Sequence, residues 1–314
     1  MSYLSKPYFH DESAAYAFVE ARIWPDGPIC PHCGGTDRIS KMNGKSTRIG
    51  AHKCYQCRKP FTVKIGTIFE QSHVKMHLWL QAIFLMAASK KGISANQLHR
   101  TLGVTLKTAW FMSHRIREAM RSGDLSPLGG EGQIVEADET YYGNREERKI
   151  SEQRRGRPYK KKGGLSMKRA VLGLVERGGQ VRTFHIAQAT KVNVADLVTK
   201  NVDKESILYT DESRLYHGMK DHFKDHDFTT HSKNEYARGP VHSNTIENYF
   251  SVFKRGMKGT YQHCAEKHLH RYLAEFDFRY NKRVGLEVTD EQRADYILDG
   301  IVGKRLTYET TLRR

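Results

Sequence analysis

Three acidic residues and one lysine in this chain have types and spacing suited to phosphate chemistry. Asp138 closes an apolar strand-like run, Ile134-Val135-Glu136-Ala137-Asp138, and Asp211 closes a second, Ile207-Leu208-Tyr209-Thr210-Asp211. Glu247 falls on an amphipathic helical stretch, with Lys254 seven residues on. Phosphodiesters resist attack because they already carry negative charge. Two divalent ions about 4 Å apart hold the attacking and leaving oxygens in line. Hard ions such as magnesium take oxygen ligands and keep much of their water, so a few carboxylates on rigid elements suffice. The expectation is two Mg2+ (or Mn2+) ions, Asp138 bridging them and Asp211 and Glu247 each completing one side. An aspartate after a strand is, taken singly, as readily a turn former; the joint placement is what favours these three. Glu136, Glu139 and Glu212 compete nearby. Glu136 shares the strand-face parity of Asp138, whereas Glu139 and Glu212 alternate to the opposite face from their aspartate neighbours.

The elements that must position these groups can be read from periodicity. Ile246, Phe250, Phe253 and Met257 recur at helical spacing and form a buried stripe. Glu247, Ser251, Lys254 and Lys258 repeat the spacing one residue later, so carboxylate and lysines share the helix edge beside the core. Lys254 is then placed to grip a phosphate near the metals, with Lys258 a turn beyond; an ordinary surface lysine is the plainer reading. Strands are expected over Gln133–Glu139, Arg169–Glu176, Val181–Ala187 and Ser206–Thr210, with a short one at Phe228–His231. Helices are expected over Val192–Val202, Asn244 to about Lys258 and His268 to about Lys282. That order is α/β with a mixed sheet and matches a ribonuclease H-like domain.

Two C-x2-C pairs, Cys30-Pro-His-Cys33 and Cys54-Tyr-Gln-Cys57, lie in Gly-rich, basic sequence. Each puts two thiolates on one tight knuckle, and two knuckles on adjacent hairpins close a tetrahedral zinc site. Four thiolates leave no open position, so one structural Zn2+ is expected, with His32 and His52 not needed as ligands. Zinc lets so short a segment fold with almost no core. Cys264 is left over, a small residue for a buried site. Absence of a disulfide framework fits a reducing cytosol.

Between about residues 74 and 120 the pattern is helical. Trp79, Ile83 and Ala87 form one stripe, and Ser94-Ala-Asn-Gln97 has capping-box form. Gly103-Val104 makes a turn, and Thr105 caps a helix that carries Ala109, Met112 and Ile116 inward. Helix, short helix, tight turn, helix is a helix-turn-helix-like pattern; any small three-helix bundle is the plainer alternative. Lys90, Arg100, Lys107, His114, Arg115 and Arg117 offer polar reach, Lys107 and Arg115 being the DNA contacts expected here.

The 314-residue chain carries a formal charge of +17 and a pI near 9.6, which draws polyanions. Residues 141–170 hold 11 Lys+Arg against 3 acids. The run from Arg154 through Arg155, Arg157, Lys160, Lys161 and Lys162 cannot build a core and reads as a mobile loop, either a solvated surface hairpin or a phosphate-gripping arm beside the active site ordered only on DNA. The longest apolar stretch, around Leu78–Ala88, is too short for a bilayer span of roughly 20 residues. The start, Met1-Ser-Tyr-Leu-Ser-Lys-Pro7, lacks the apolar core of a leader. The expected division is an N-terminal helix (1–27) opening near Asp11, a zinc ribbon (28–72), a helix-turn-helix-like region (73–122), a linker (123–132), a ribonuclease H-like catalytic domain (133–286) and a tail (287–314).

The chain resembles bacterial insertion-sequence transposases of the DDE type with an N-terminal zinc ribbon. The likeness runs from His10-Asp-Glu12 and Trp24-Pro-Asp-Gly-Pro-Ile-Cys-Pro-His-Cys33 to Phe278-Arg-Tyr-Asn-Lys-Arg283. It is most specific at Asp138-Glu-Thr-Tyr-Tyr-Gly143 and at Asn244-Thr-Ile-Glu-Asn-Tyr-Phe-Ser-Val-Phe-Lys-Arg-Gly256. The resemblance implies Asp138, Asp211 and Glu247 as catalytic triad with Lys254 as basic companion. The glutamate after Asp211 departs from members with glycine there. It further implies double-stranded DNA, element ends and target alike, as partner. A homo-oligomer on DNA and a cytoplasmic, nucleoid-associated protein complete the expectation. The alternatives are a ribonuclease H-like nuclease without strand transfer and a zinc-ribbon DNA-binding regulator or domesticated copy without catalysis.

Overall fold

The structure is a computed structural model that describes residues 2–121, 123, 126–145, 168–230, 232, 235 and 237–307. The chain divides into two compact units, Met1–Arg121 with Arg283–Arg314, and Ser122–Lys282.

The first unit opens with α1 (Glu12–Ile23), whose first turn is capped by Asp11 accepting from the amide of Ala14 at 2.7 Å. A three-stranded antiparallel ribbon follows, β1 (Ile39–Lys41), β2 (His52–Cys54) and β3 (Pro60–Phe61). Strands this short enclose little: the buried cluster of the ribbon is Cys30, Cys54 and Phe61. Three helices come next, α2 (Met76–Ala88), α3 (Ala95–Leu102) and α4 (Leu106–Met120). Their boundaries follow from local chemistry. Ser94 and Thr105 accept from the amides of Gln97 and Thr108, and Gly103 ends α3 in the left-handed region at φ 66°. Ala109, Met112 and Ile116 are buried, as the periodicity requires.

The second unit is built on a five-stranded mixed sheet in the order β6-β5-β4-β7-β8. β4 (Ile134–Asn144) and β5 (Lys168–Glu176) are antiparallel, β6 (Val181–Ile186) completes a hairpin with β5, and β7 (Ile207–Asp211) and β8 (Asp225–Thr229) run parallel to β4. Helix α5 (Lys191–Asn201) falls between β6 and β7; α6 (Asn244–Gly256) and α7 (Leu269–Asn281) follow β8. This is the α/β, ribonuclease H-like order read from the sequence.

Alternation along the strands sorts the core into two layers. Val135, Ala137, Leu172 and Leu174 join Val194 and Val198 of α5 on one face. Val171 and Val175 join Ile246, Phe250, Phe253 and Met257 of α6 and Leu273 and Phe276 of α7 on the other. Each fully buried side chain of that size is worth about 1.5–3 kcal/mol, so the α6 stripe alone anchors its helix firmly. Leu128, within the stretch expected as a linker, is buried in the α5 layer and bridges to Val202.

Three expectations need correction. β4 runs five residues past the expected Glu139, because its partner β5 continues beside it to Lys168. β8 begins at Asp225, earlier than the Phe228 start, since its polar residues Asp225, His226 and Asp227 pair with Ile207, Leu208 and Tyr209 at the sheet edge. The segment after Glu287 contains α8 (Asp290–Asp299), opened by a Thr289–Gln292 capping box. It packs within the first unit, where Arg293 donates to the carbonyl of Ala87 at 2.8 Å and Arg22 pairs with Asp295 and Asp299.

Candidate active site and metal centres

The parallel register between β4 and β7 pairs Ile134 with Ile207 and Glu136 with Tyr209. Two residues further along each strand, Asp138 comes level with Asp211. β7 stops there: Asp211 accepts from the amide of Ser213 at 3.0 Å, turning the chain. Asp138, by contrast, is mid-strand. Its partner on β5 is Gly173, where a Cβ would lie 2.7 Å from both Ile246 and Phe250. Directly paired residues share a face, so Asp138 and Glu136 are on the α6 side of the sheet.

Glu247 lies in the first turn of α6. Asp138, Asp211, Glu247 and Lys254 line one open cleft of about 480 Å³, together with Glu139, Thr140, Phe250, Ser251, Arg255 and Lys258. Acids at its floor and cations along the helix suit a metal-bound polyanion.

Within the cleft, ligand oxygens of Asp138, Glu139 and Asp211 lie within 4.8 Å of one another, a set that does not include Glu247. Sequence reasoning set Glu139 aside because strand alternation turns it from Asp138. The alternation holds, but β7 ends level with Asp138, so Glu139 is the first β4 residue beyond its neighbour and its carboxylate reaches the Asp211 turn. The Tyr216 hydroxyl donates to Glu139 at 2.9 Å and Ser213 Oγ donates at 3.3 Å. The adjacent Asp-Glu pair was the only signal available. Burial, then the negative charges of Asp211 and Glu139, push the Asp138 carboxyl well above its usual range. Burial also raises Glu139, against the lowering effect of the Tyr216 hydroxyl. Crowded, desolvated carboxylates of this kind are what a divalent cation relieves, and an all-oxygen donor set fits a hard ion.

Glu136 has a different task. It is fully buried, and its carboxylate accepts from the amides of Thr245 at 2.8 Å and Ile246 at 3.0 Å, from the Thr245 hydroxyl at 2.9 Å and from Arg177 Nε at 2.6 Å. His242 belongs to this group: Arg177 Nη2 lies 2.9 Å from its Nδ1.

In the ribbon, Cys30 Sγ and Cys57 Sγ are 3.6 Å apart, Cys33 Sγ and Cys54 Sγ 3.7 Å, and all four sulfurs lie within 4.8 Å. A tetrahedron with metal–sulfur bonds of about 2.3 Å has edges of about 3.8 Å, so the four thiols fit a zinc ion. His52 instead stacks on Phe61 at 5.7 Å and meets Trp24 edge-on at 5.5 Å.

The expected DNA contacts divide. Lys107 is exposed on α4, and Lys258 lines the cleft. Arg115 is 6% exposed and donates to the carbonyls of Ile68, Glu70 and Leu306, so it ties the first unit together from inside and is unsuited to phosphate contact. His114 and Arg117 are likewise buried, on the inward side of α4. The sequence missed this because arginine on a helix is normally surface. Arg154, Arg155, Arg157, Lys160, Lys161 and Lys162 lie outside the described residues.

A mixed sheet with clustered carboxylates, in a chain that also holds a four-cysteine ribbon, has the make-up of a DDE-type transposase. Residues 127–281 match the ISXO2-like transposase domain and residues 10–60 the transposase zinc-ribbon domain. The chain belongs to this family of insertion-sequence transposases. It is 26% identical over 280 residues to an uncharacterized protein in transposable element ISH50 of Halobacterium salinarum, covering 87% of this chain and 92% of that protein. A chain of a pre-cleavage Mos1 transpososome crystal structure aligns over 97% of this chain and 95% of its own at 12% identity. Its TM-score is 0.25, too low to bear on either fold or function.

Proposed function

We propose that this protein binds the terminal inverted repeats of its insertion sequence, cleaves the DNA ends and joins the freed 3′ hydroxyl to target DNA. The observation that carries this reading is the single cleft lined by Asp138, Asp211, Glu247 and Lys254. Asp138, Asp211 and Glu247, with Glu139 beside them, would hold two Mg2+ or Mn2+ ions, which when bound activate the attacking oxygen and stabilise the leaving one. Lys254 and Lys258 grip the phosphates on either side of the scissile bond, neutralising charge without donating a proton to the reaction. In the first step water forms a bond to phosphorus and the 3′ oxygen leaves as the free hydroxyl. In the second, that hydroxyl attacks a target phosphodiester and the target's own 3′ oxygen departs. Both are in-line displacements and need one site.

The four cysteines of the ribbon hold one structural Zn2+. The ribbon and the α3–α4 pair recognise the element ends, Lys107 among the contacts, while the basic run from Arg154 to Lys162 tracks the DNA backbone. Two ends must be processed together, so the working form is a homo-oligomer on double-stranded DNA, in the bacterial cytoplasm at the nucleoid. Among the described residues no helix is long and apolar enough to cross a membrane.

The test uses labelled donor DNA carrying the repeats that flank the gene. Magnesium-dependent joining of donor ends to target supports transposition. Release of fragments without joining makes the protein a nuclease, and binding without cleavage makes it a regulator.

A further inference from the structure

We propose that Glu136 is the positioning residue that holds Glu247 to the two aspartates, a role that rests on the metal-ligand reading of Glu247 above.

Helix α6 starts without the usual cap. Its N-cap residue is Ser243, a residue type that ordinarily accepts from the amide two or three positions on. Here Ser243 makes no such bond; its hydroxyl donates instead to Glu247 Oε1 at 3.2 Å. The first-turn amides of Thr245 and Ile246 are taken by Glu136, from a different element altogether. One carboxylate oxygen accepts from both Thr245 N and Ile246 N, and the other from Thr245 Oγ1 and Arg177 Nε.

This is costly unless it serves something. A fully buried carboxylate is strongly destabilising unless every lone pair is matched. Four donors and the positive end of a helix dipole supply the match. A capping bond from Ser243 itself would have satisfied the helix more simply, but its hydroxyl is turned to Glu247. What the sheet-borne carboxylate adds is registration. Glu136 and Asp138 lie on the same face of β4, two residues apart, a step of roughly 6.6 Å. Thr245 and Ile246 immediately precede Glu247. One strand therefore presents one carboxylate to the cleft and uses its neighbour to grip the helix that carries the other. Arg177 extends the grip, donating to the carbonyls of Pro240 and His242 just before α6 at 2.7 and 2.9 Å. These bonds tie the loop, the helix start and the strand together, and the placement of Glu247 follows from them.

The test uses the full-length protein and Mn2+ as probe. Glu136→Gln keeps shape but turns an N–H toward donors. We expect Mn2+ affinity, read by electron paramagnetic resonance, to fall at least fivefold in Glu136→Gln, with DNA affinity within twofold of wild type. Exchange of the Thr245 and Ile246 amides with deuterium should accelerate at least tenfold. Arg177→Gln, which leaves the carboxylate in place, should shift both readouts in the same direction by less, and it serves if Glu136→Gln does not fold. Glu247→Gln is the control for the underlying reading. If Glu247→Gln leaves Mn2+ affinity and activity unchanged, the metal-ligand reading fails. If it weakens both while Glu136→Gln, or Arg177→Gln in its place, binds Mn2+ as wild type does, the positioning role alone is wrong.

Discussion

Phe250 closes directly over Gly173: a Cβ at position 173 would lie 2.7 Å from Phe250 Cζ, with Ile246 Cδ1 equally near. Gly173 is also the strand partner of Asp138. The missing side chain is what lets α6 approach the sheet at the level of the candidate metal site. Gly173→Ala forces the helix outward or the ring off its rotamer. Overpacking of this kind costs about 1–3 kcal/mol, measurable by urea unfolding. Because Glu247 rides on the displaced helix, cleavage should fall by more than the folded fraction does.

Arg115 and Lys107 sit on one helix and should separate cleanly. Arg115→Met strands buried carbonyls of Ile68, Glu70 and Leu306 and should cost about 2–4 kcal/mol of stability. Lys107→Ala should leave the melting temperature unchanged. It should weaken DNA binding and lower the slope of log affinity against log salt by about 1. Fluorescence anisotropy across a salt series checks both variants.

Cys54→Ser removes one of four thiolates around a site with almost no apolar core. Structural zinc should drop from one equivalent to near zero by atomic absorption, and residues 28–61 should become protease-sensitive, since ribbons of this kind owe their folding to the metal. Wild type treated with a strong chelator should behave the same way.

Asp277 offers a pH test. Burial lifts its carboxyl from 3.8 to about 6, even though the Tyr249 hydroxyl and Thr183 donate to it. Between about pH 4 and 6 the folded state therefore holds a proton that the unfolded state has released. Its contribution is fully present below about pH 4 and is lost as pH rises through about 6. Asp277→Asn lacks this titration. The stability difference between the two proteins should move in favour of asparagine by an amount of order 3 kcal/mol between pH 4 and 6.5, then stay level. Urea unfolding at several pH values measures it.

Local signals carried most of the fold. The caps at Asp11, Ser94 and Thr105 and the α6 stripe of Ile246, Phe250, Phe253 and Met257 depend on neighbours within one or two turns, and all four are found as read. Non-local choices were not legible. Glu136 and Asp138 have the same parity and charge on one strand; only the position of α6 makes one a helix cap and the other a cleft residue. Glu139 enters the carboxylate cluster because β7 ends where it does, a fact of register between strands some 70 residues apart in sequence. Arg115 reads as a surface charge until the carbonyls that surround it are known. The helix after Glu287 carries a clear capping box, Thr289 to Gln292, but its apolar face, Ala294, Ile297 and Leu298, is short and acquires meaning only against the rest of its unit.

Strand transfer in the cleft holding Asp138, Asp211 and Glu247 is the reaction proposed for this protein. It is tested most directly with pre-cut donor ends bearing a 3′ hydroxyl, target plasmid and Mg2+, comparing wild type with Asp138→Asn. The expected result is covalent donor–target product from wild type, reduced about 1,000-fold or more in the variant while both bind the ends within twofold of each other. Equal joining by Asp138→Asn, or end binding by wild type with no joined product, would contradict it.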